Sequence, residues 1–309
     1  RTKGGGYNDW CAIVCVSDDE WRRLVGVMGS PKWASLPKFA TLSGRLQHQG
    51  EMDFGIQEWA QTLEKYELME LCQASGVPAM PVQSTENRVE HDPQLRHREL
   101  YRELEHPVIG KYKFQNAPFK LSETPAINTK PAPMIGQHNQ EIFEGMLGFS
   151  HEEFVSGYED NTFWPTTLDR YPYMDEMIKS EPIPFTGAGA AFKSEKTASS
   201  TGGGPLSGLR VLEMADEKGQ YCGKLMADLG AEVIKIEPSG GEHARTVGPF
   251  LDDLPHRERS LSFWHYNTSK RGITLNLESE DGRGLFKKLA DTADVILETF
   301  DAGYLTSLG

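Results

Sequence analysis

Two glycines four residues apart, Gly219 and Gly223, and a carboxylate after the next apolar run, Glu237, are the residues whose types and spacing point most directly at chemistry. Glycines in a short loop let a backbone approach a phosphate, and an acidic residue after the second strand is where dinucleotide enzymes hold a ribose hydroxyl. The full G-x-G-x-x-G fingerprint is absent, which argues against an ordinary NAD site. Asp216 and Glu217 also place negative charge at the start of the following helix. That charge opposes an anion where a helix N-terminus otherwise contributes about 0.3 to 1 kcal/mol.

Other constellations point away from chemistry. The nine histidines form no H-E-x-x-H and no paired Cys/His spacing, so no metal centre is expected. Ser207 lies in GPLSG and lacks the G-x-S-x-G of a nucleophile elbow. Gly4 to Gly6 offer a short anion nest, but a strand follows them without a helix, and a turn is the simpler reading. Asp216, Asp228 and Asp294 read as structural or solvent-facing carboxylates.

The elements that must position the glycine loop lie between Leu209 and Glu237. Val211–Met214 and Val233–Ile236 read as strands; Cys222, Leu225, Met226 and Leu229 recur at helical spacing between them, and Gly230 stops that helix. In a doubly wound sheet this unit puts a ligand crevice at the carboxyl end of its first strand. Ile273 and Leu275 then alternate with Thr274 and Asn276 as a further strand.

The first half of the chain has a different texture. Trp10–Val16 reads as a buried strand with Cys11 and Cys15 on one side, and Ser17 with Glu20 forms a capping box for the next helix. Trp21, Leu24, Val25 and Met28 give that helix its apolar face, and Gly29 its stop. Two helices follow between Arg45 and Ala74; Val77–Val82 is extended, and His106–Leu121 reads as a hairpin around Ile109, Gly110 and Lys111. Met134–Leu147 supplies a helix, with a second capping box at Ser150 and Glu153. From Tyr158 the periodicity is lost: Phe163, Trp164, Tyr171 and Tyr173 suggest an aromatic strap, and Lys193–Gly204 a flexible linker.

Composition sets the outer limits. A chain of 309 residues suggests two domains, and the formal charge of −13 speaks against nucleic acid as a partner. No apolar run approaches the ~18 residues of a membrane helix. Four scattered cysteines favour a reducing compartment, and the cytoplasm is the default expectation, although Arg1 is not an initiator and a targeting segment can precede it.

The wording of the chain carries more than its periodicity. YCGKLMADLGAEVIKIEPSGG followed by SFWHYNTSKRGITLNLESEDGRGLFKKLADTADVILETF closely resembles the N-terminal part of the class III CoA-transferases, the carnitine dehydratase and bile-acid-inducible (CaiB/BaiF) type. DWCAIVCVSDDEWRRLVGVMGSPKWASLPKFAT, GVPAMPVQS, HDPQLRHREL, HPVIGKYKFQNAPFKLSETP and APMIGQHNQEIFEGMLGFSHEEF resemble the C-terminal half of the same family. The halves stand in reversed order, as they would where one copy of a tandem fusion ends and a second begins.

The resemblance implies an α/β chain: a Rossmann-like CoA-binding half domain plus a small α+β domain, both parts of the interlocked family fold. The boundaries it implies are 1–127 for the small domain and 128–157 for the terminal helical segment of copy one, then 158–204 for strap and linker and 205–309 for the truncated start of copy two. The activity implied is transfer of CoA from an acyl-CoA to a small carboxylic acid through an aspartyl intermediate. No catalytic residue is assigned in this chain, because the family's aspartate falls outside it, and the chain alone is expected to be inactive. The CoA thioester is substrate, and no resident cofactor is implied. A homodimer or an intramolecular pseudo-dimer is expected, with no nucleic-acid or membrane partner.

By the same resemblance, Lys218, Gly219, Gln220, Lys270, Arg271, Leu275, Thr299 and Phe300 correspond to positions around CoA. Lys270 and Arg271 are the cationic candidates for its phosphates, with a solvated turn as their alternative. The chain departs from the family where an A-G-P turn is replaced by Lys218, Gly219 and Gln220, and where Thr299 and Ser307 replace an Asn and an Arg. Two rivals follow: an acyl-CoA racemase of the same fold, whose acid/base pair would also lie outside the chain, and a non-catalytic CoA-binding copy.

Overall fold

The computed structural model describes residues 1–107, 110–163 and 204–309. Ile109, the strap residues Trp164, Tyr171 and Tyr173, and the linker up to residue 203 lie outside the described residues. The chain divides into two compact units, Arg1–Gln94 and Leu95–Gly309.

The first unit pairs β1 (Cys11–Ile13) antiparallel with β2 (Ala79–Pro81) beside four helices, α1 (Asp18–Val27), α2 (Leu42–Gln47), α3 (Gln49–Ala60) and α4 (Lys65–Ala74). The capping box forms as expected: Glu20 N–H donates to Ser17 Oγ at 3.1 Å, and Ser17 N–H donates to Glu20 Oε2 at 3.2 Å. Trp21, Leu24, Phe39, Leu68, Cys72 and Val77 make the core. The expected buried strand from Trp10 to Val16 is corrected to a short one with a wet face. Cys11, Ile13 and Cys15 pack on the core, whereas Val14 and Val16 are exposed. A two-stranded pair covers one face only, so alternate apolar residues face water. One more helix than expected, α2, forms because Thr41 Oγ1 accepts from Gly44 N–H and caps it.

In the second unit, after the short α5 (Pro93–His97) that spans the boundary, β3 (Tyr101–His106) and β4 (Gly110–Gln115) form the antiparallel hairpin. It starts earlier than the sequence suggests and ends at Gln115. The compact units meet at Gln94, so the hairpin and residues 95–127 group with the second unit.

The centre of this unit is a parallel sheet. It is built from β5 (Arg210–Met214), β6 (Glu232–Glu237), β7 (Arg271–Thr274) and β8 (Val295–Glu298) in the order β7-β6-β5-β8. Helices α7 (Gln220–Asp228), α8 (Leu261–Tyr266), α9 (Glu280–Ala290) and α10 (Tyr304–Ser307) connect or follow the strands, and α6 (His151–Glu159) precedes them. Gly230, at φ +99°, ends the turn after α7.

The face that α7 buries is not the apolar one read from spacing. Gln220, Gly223, Lys224, Ala227 and Asp228 are buried, while Cys222 is exposed and Leu225, Met226 and Leu229 are half-buried. Small residues let the helix sit close on the sheet, and the Lys224–Asp228 ion pair at 2.6 Å makes its polar positions compatible with burial.

Residues 126–163 are built into this sheet. Ile127 N–H donates to Asp228 O at 2.8 Å and Ser269 N–H to Lys130 O at 2.9 Å. On the free edge of β7, His138 N–H donates to Gly272 O at 2.9 Å, and Gly272 N–H donates to His138 Nδ1 at 3.0 Å. These contacts satisfy edge groups that would otherwise be left open to pairing. Phe143, Phe154 and Phe163 join Leu212, Ile234, Ile273 and Leu289 in one core cluster. The second capping box, Ser150 with Glu153, is present at the start of α6. The helix expected over Met134–Leu147 is reduced to one wide turn, Glu141–Met146, because His138 and Asn139 spend their hydrogen bonds on β7.

Candidate functional site

The loop Ala215–Gln220 leaves the carboxyl end of β5, beside the carboxyl end of β8, where open α/β sheets place ligands. Thr299 pins it. Asp216 N–H donates to Thr299 Oγ1 at 3.0 Å, and the Thr299 hydroxyl donates back to Asp216 Oδ1 at 2.8 Å. Lys218 N–H donates to Asp216 Oδ1 at 3.0 Å, its ammonium lies 3.1 Å from Oδ2, and it also donates to Thr299 O at 3.2 Å. Partial burial would raise the Asp216 pKa, but these hydrogen bonds and the Lys218 charge outweigh it and hold the carboxyl below its ordinary value. The hydrogen bond and charge of Asp216 raise Lys218 in turn. Thus the acidic character that opposes an anion is partly neutralised within the loop itself.

Gly219 has to be glycine for a steric reason: a Cβ there would stand 2.6 Å from Thr299 Cγ2 and 3.0 Å from Ala215 Cβ. Phe300, 37% exposed, stacks at a tilt against Tyr304 with ring centres 4.6 Å apart and offers an apolar surface next to Thr299.

Under the loop lies a cluster of charges that the sequence reading missed. Glu213, fully buried on β5, receives the ammonium of Lys235 at 3.0 Å and that of Lys270 at 2.8 Å. Lys235 also reaches Glu242 at 2.7 Å and donates to Ala215 O at 2.7 Å. Burial disfavours the Lys235 charge, yet Glu213, Glu242 and Glu237 together hold its pKa above the ordinary value. Burial, aided by Glu237, pushes Glu242 up to about 7 against the pull of Lys235. Next to this group Arg245 grips Glu237 with two nitrogens, at 2.6 and 2.8 Å, and Glu258 with a third at 2.6 Å. The available signal was the interruption of apolar strand runs by charge, Glu213 in VLEM and Lys235 in VIKIE.

The positions singled out from sequence therefore separate. Lys218, Gly219, Thr299 and Phe300 come together at the loop. Gln220 is at its inner end, buried, with its side-chain oxygen accepting from Asn267 Nδ2 at 2.8 Å. Lys270 is not the residue of a solvated turn, the alternative the sequence offered. Its ammonium is fully buried and donates to Gln220 O at 2.7 Å and Asn267 Oδ1 at 2.8 Å beside Glu213.

Arg271 opens β7, at the opposite end of the sheet from the loop, and pairs with Glu232 at 2.9 Å and Glu141 at 3.4 Å. It borders a cleft of about 250 Å³ with Thr129, Lys130 and Ser269. Leu275 is core, 1% exposed. Glu237, which mimics the acidic residue of dinucleotide sites in the sequence, is fully buried on Arg245. The Gly4–Gly6 nest is filled by its own chain, since Gly6 N–H donates to Asp9 Oδ2 at 2.7 Å. Asp228 is buried on Lys224, and Asp294 accepts from Arg210 N–H at 2.9 Å, so both have structural work.

Comparison with known proteins adds to this geometry. A sequence model described as CoA-transferase family III matches residues 5–139 and 206–309, well over half of the chain. The chain is 34% identical over 149 residues to a formyl-CoA:oxalate CoA-transferase of Streptomyces coelicolor, covering 48% of this chain and 36% of that protein. To a succinyl-CoA:(R)-benzylsuccinate CoA-transferase subunit of Thauera aromatica it is 41% identical over 107 residues, covering 35% of this chain and 26% of that one. Among solved structures, a CAIB/BAIF family protein from Brucella suis is 40% identical, with a TM-score of 0.31 over 34% of this chain and 28% of that chain. These matches span between about a quarter and a little over a third of the relatives' own length. With the family match running through both of its segments, the chain belongs to CoA-transferase family III.

Proposed function

We propose that this chain is part of a tandem family III enzyme that moves CoA from an acyl-CoA thioester to a small carboxylic acid, and that the Ala215–Gln220 loop with Thr299 and Phe300 faces the CoA. The observation that carries the reading is the position of the loop at the carboxyl ends of β5 and β8, in a chain that belongs to this family. In the reaction, an aspartate outside this chain attacks the thioester carbonyl and forms an acyl anhydride as the carbon–sulfur bond breaks. That covalent step divides one hard exchange into easier ones.

The residues present bind and orient. Lys218, with its side chain 63% exposed, offers a cation to a phosphate, the bare Gly219 main chain permits close approach, and Phe300 gives the pantetheine an apolar wall. CoA enters as part of the substrate, and no resident cofactor or metal takes part. The tandem arrangement also lets the end of one copy complete the next within one chain, as a pseudo-dimer, since residues 126–163 fill the edge and core of the sheet that follows them.

Titration calorimetry of CoA into the 309-residue chain tests the reading, with Lys218→Ala as the probe. A lost contact to a charged group is worth ~1.5 to 3 kcal/mol, so the dissociation constant should rise about tenfold or more. CoA affinity unchanged by Lys218→Ala and by Thr299→Val would remove the loop from the site. The chain by itself should exchange no CoA between any acyl-CoA and acid. Turnover traced to one of its own residues would overturn the placement of the aspartate elsewhere.

A further inference from the structure

We propose that Glu213, Lys235 and Lys270 are positioning residues for the Ala215–Gln220 loop: one buried carboxylate holds two ammonium groups, and each ammonium holds one end of the loop by a main-chain carbonyl. Lys235 donates to Ala215 O at 2.7 Å, where the chain leaves β5, and Lys270 donates to Gln220 O at 2.7 Å, where α7 begins. The inner end is held a second time, because Asn267 both accepts from Lys270 and donates to the Gln220 side chain. All of these groups are buried, so their hydrogen bonds work in a low dielectric, away from competing water.

The helix is fitted to this device. A Cβ at Gly223 would stand 1.6 Å from Glu213 Oε2 and 3.3 Å from Lys270 Nζ, so the first turn of α7 rests directly on the carboxylate. Gly223, which resembles part of a phosphate-binding fingerprint in the sequence, thus serves contact with Glu213 beneath the helix. The same arrangement explains why charged residues occupy β5 and β6. Two strand side chains and Lys270, just ahead of β7, converge on one point below the loop.

The device also has a pH response. Burial, then repulsion from Lys235, brings Lys270 down to about 8 against the attraction of Glu213. The charged groups facing Lys270 are Glu213 on β5, Lys235 on β6, Glu242 after β6 and Asp228 on α7, the last paired with Lys224, with neutral Gln220 and Asn267 completing the shell. Above about pH 8 the ammonium loses its proton, its hold on Gln220 O weakens, and the loop loosens.

The ligand side of this inference rests on the proposed CoA reading, so the experiment has two arms. In the full 309-residue chain without ligand, hydrogen exchange of the 215–222 peptide should speed up at least tenfold in Lys270→Met, while peptides from β5, β6 and β7 keep wild-type protection. Should the single variant fail to fold, the double variant Glu213→Gln with Lys270→Met removes one charge of each sign and should give the same local loosening. Unchanged exchange in the 215–222 peptide of the folded variant overturns the proposal.

In the second arm, CoA affinity is measured from pH 7 to 9. The wild type should weaken above about pH 8 and Lys270→Met should be weaker throughout, with no bend there. A wild-type pH profile that matches the variant counts against the proposal. A wild type that binds no CoA counts against the CoA reading alone, and the exchange arm still decides the positioning role.

Discussion

Asn139 reads the free edge of β7 through a single residue, Thr274. Its amide nitrogen donates to Thr274 Oγ1 at 3.1 Å, and its side-chain oxygen accepts Thr274 N–H at 2.9 Å. Both residues are fully buried. A segment matched to one stretch of the family therefore closes the sheet formed by another, with side-chain groups of His138 and Asn139 joining the His138 main chain where a further strand would supply main chain alone.

Asn139→Ala should remove both contacts and leave Thr274 N–H buried without a partner, at a cost of about 1 to 3 kcal/mol. Urea denaturation followed by tryptophan fluorescence should show a lower midpoint for the second unit with an unchanged slope. A midpoint equal to that of the wild type would mean that the edge contact contributes nothing net.

Gly272 and Gly284 should respond to alanine in opposite directions. At Gly272 the new methyl would meet Pro133 carbons at 2.8 Å, whereas Gly284, inside α9, has nothing within 4 Å. Gly272→Ala should push residues 133–139 off the edge and destabilise, while Gly284→Ala should stabilise by roughly 0.5 to 1 kcal/mol through reduced backbone freedom of the unfolded chain. Thermal melts of the two variants, side by side, provide the comparison; equal shifts in one direction would refute the steric argument at Gly272.

Arg245→Met should be among the most damaging single changes. The guanidinium is fully buried, lies 3.8 Å from the Phe263 ring centre, and neutralises Glu237 and Glu258 while donating to Pro133 O at 3.0 Å. Removing one partner of a buried ion pair costs about 3 to 5 kcal/mol. Arg245→Lys should recover little of it, because an ammonium cannot fork to two carboxylates and a carbonyl in the same geometry. Full recovery of the unfolding midpoint by lysine would show that charge alone is what the site requires.

Acid should weaken the second unit through its buried histidines. Burial, with Lys130 and Arg271 nearby, brings His138 down to about 4, and burial with Arg245 nearby does the same for His106. The unfolded chain then binds these protons more readily than the folded one, so stability is full above about pH 6.5 and falls as pH drops toward 4. The slope should be on the order of 1 kcal/mol per pH unit for each histidine. Denaturation midpoints measured from pH 7 to 4 should show a shallower loss in His138→Gln, and an identical slope would exclude His138 as a contributor.

Much of the sheet-forming half was legible in the sequence. Val211–Met214 and Val233–Ile236 fall inside β5 and β6, Gly230 ends the intervening helical segment, and Ser17 and Ser150 cap their helices, because such signals act over a few neighbouring residues. The candidate site was legible in part. The loop and Thr299 converge, but Lys270 is buried on Glu213 and Arg271 lies at the far end of the sheet.

What the sequence by itself determined is the set of local elements, the caps that start them and the family wording in its two stretches. What tertiary structure alone decided is which side chains those elements enclose. The buried face of α7 runs through Gln220, Gly223 and Lys224 because Glu213 and Lys270 stand beneath it, and β7 is closed by His138 and Asn139 from far up the chain. Periodicity records the average polarity of a face, whereas Glu213, Lys235, Lys270 and Arg245 become core residues because partners on other elements neutralise them, and those partners are fixed by the packing of the sheet.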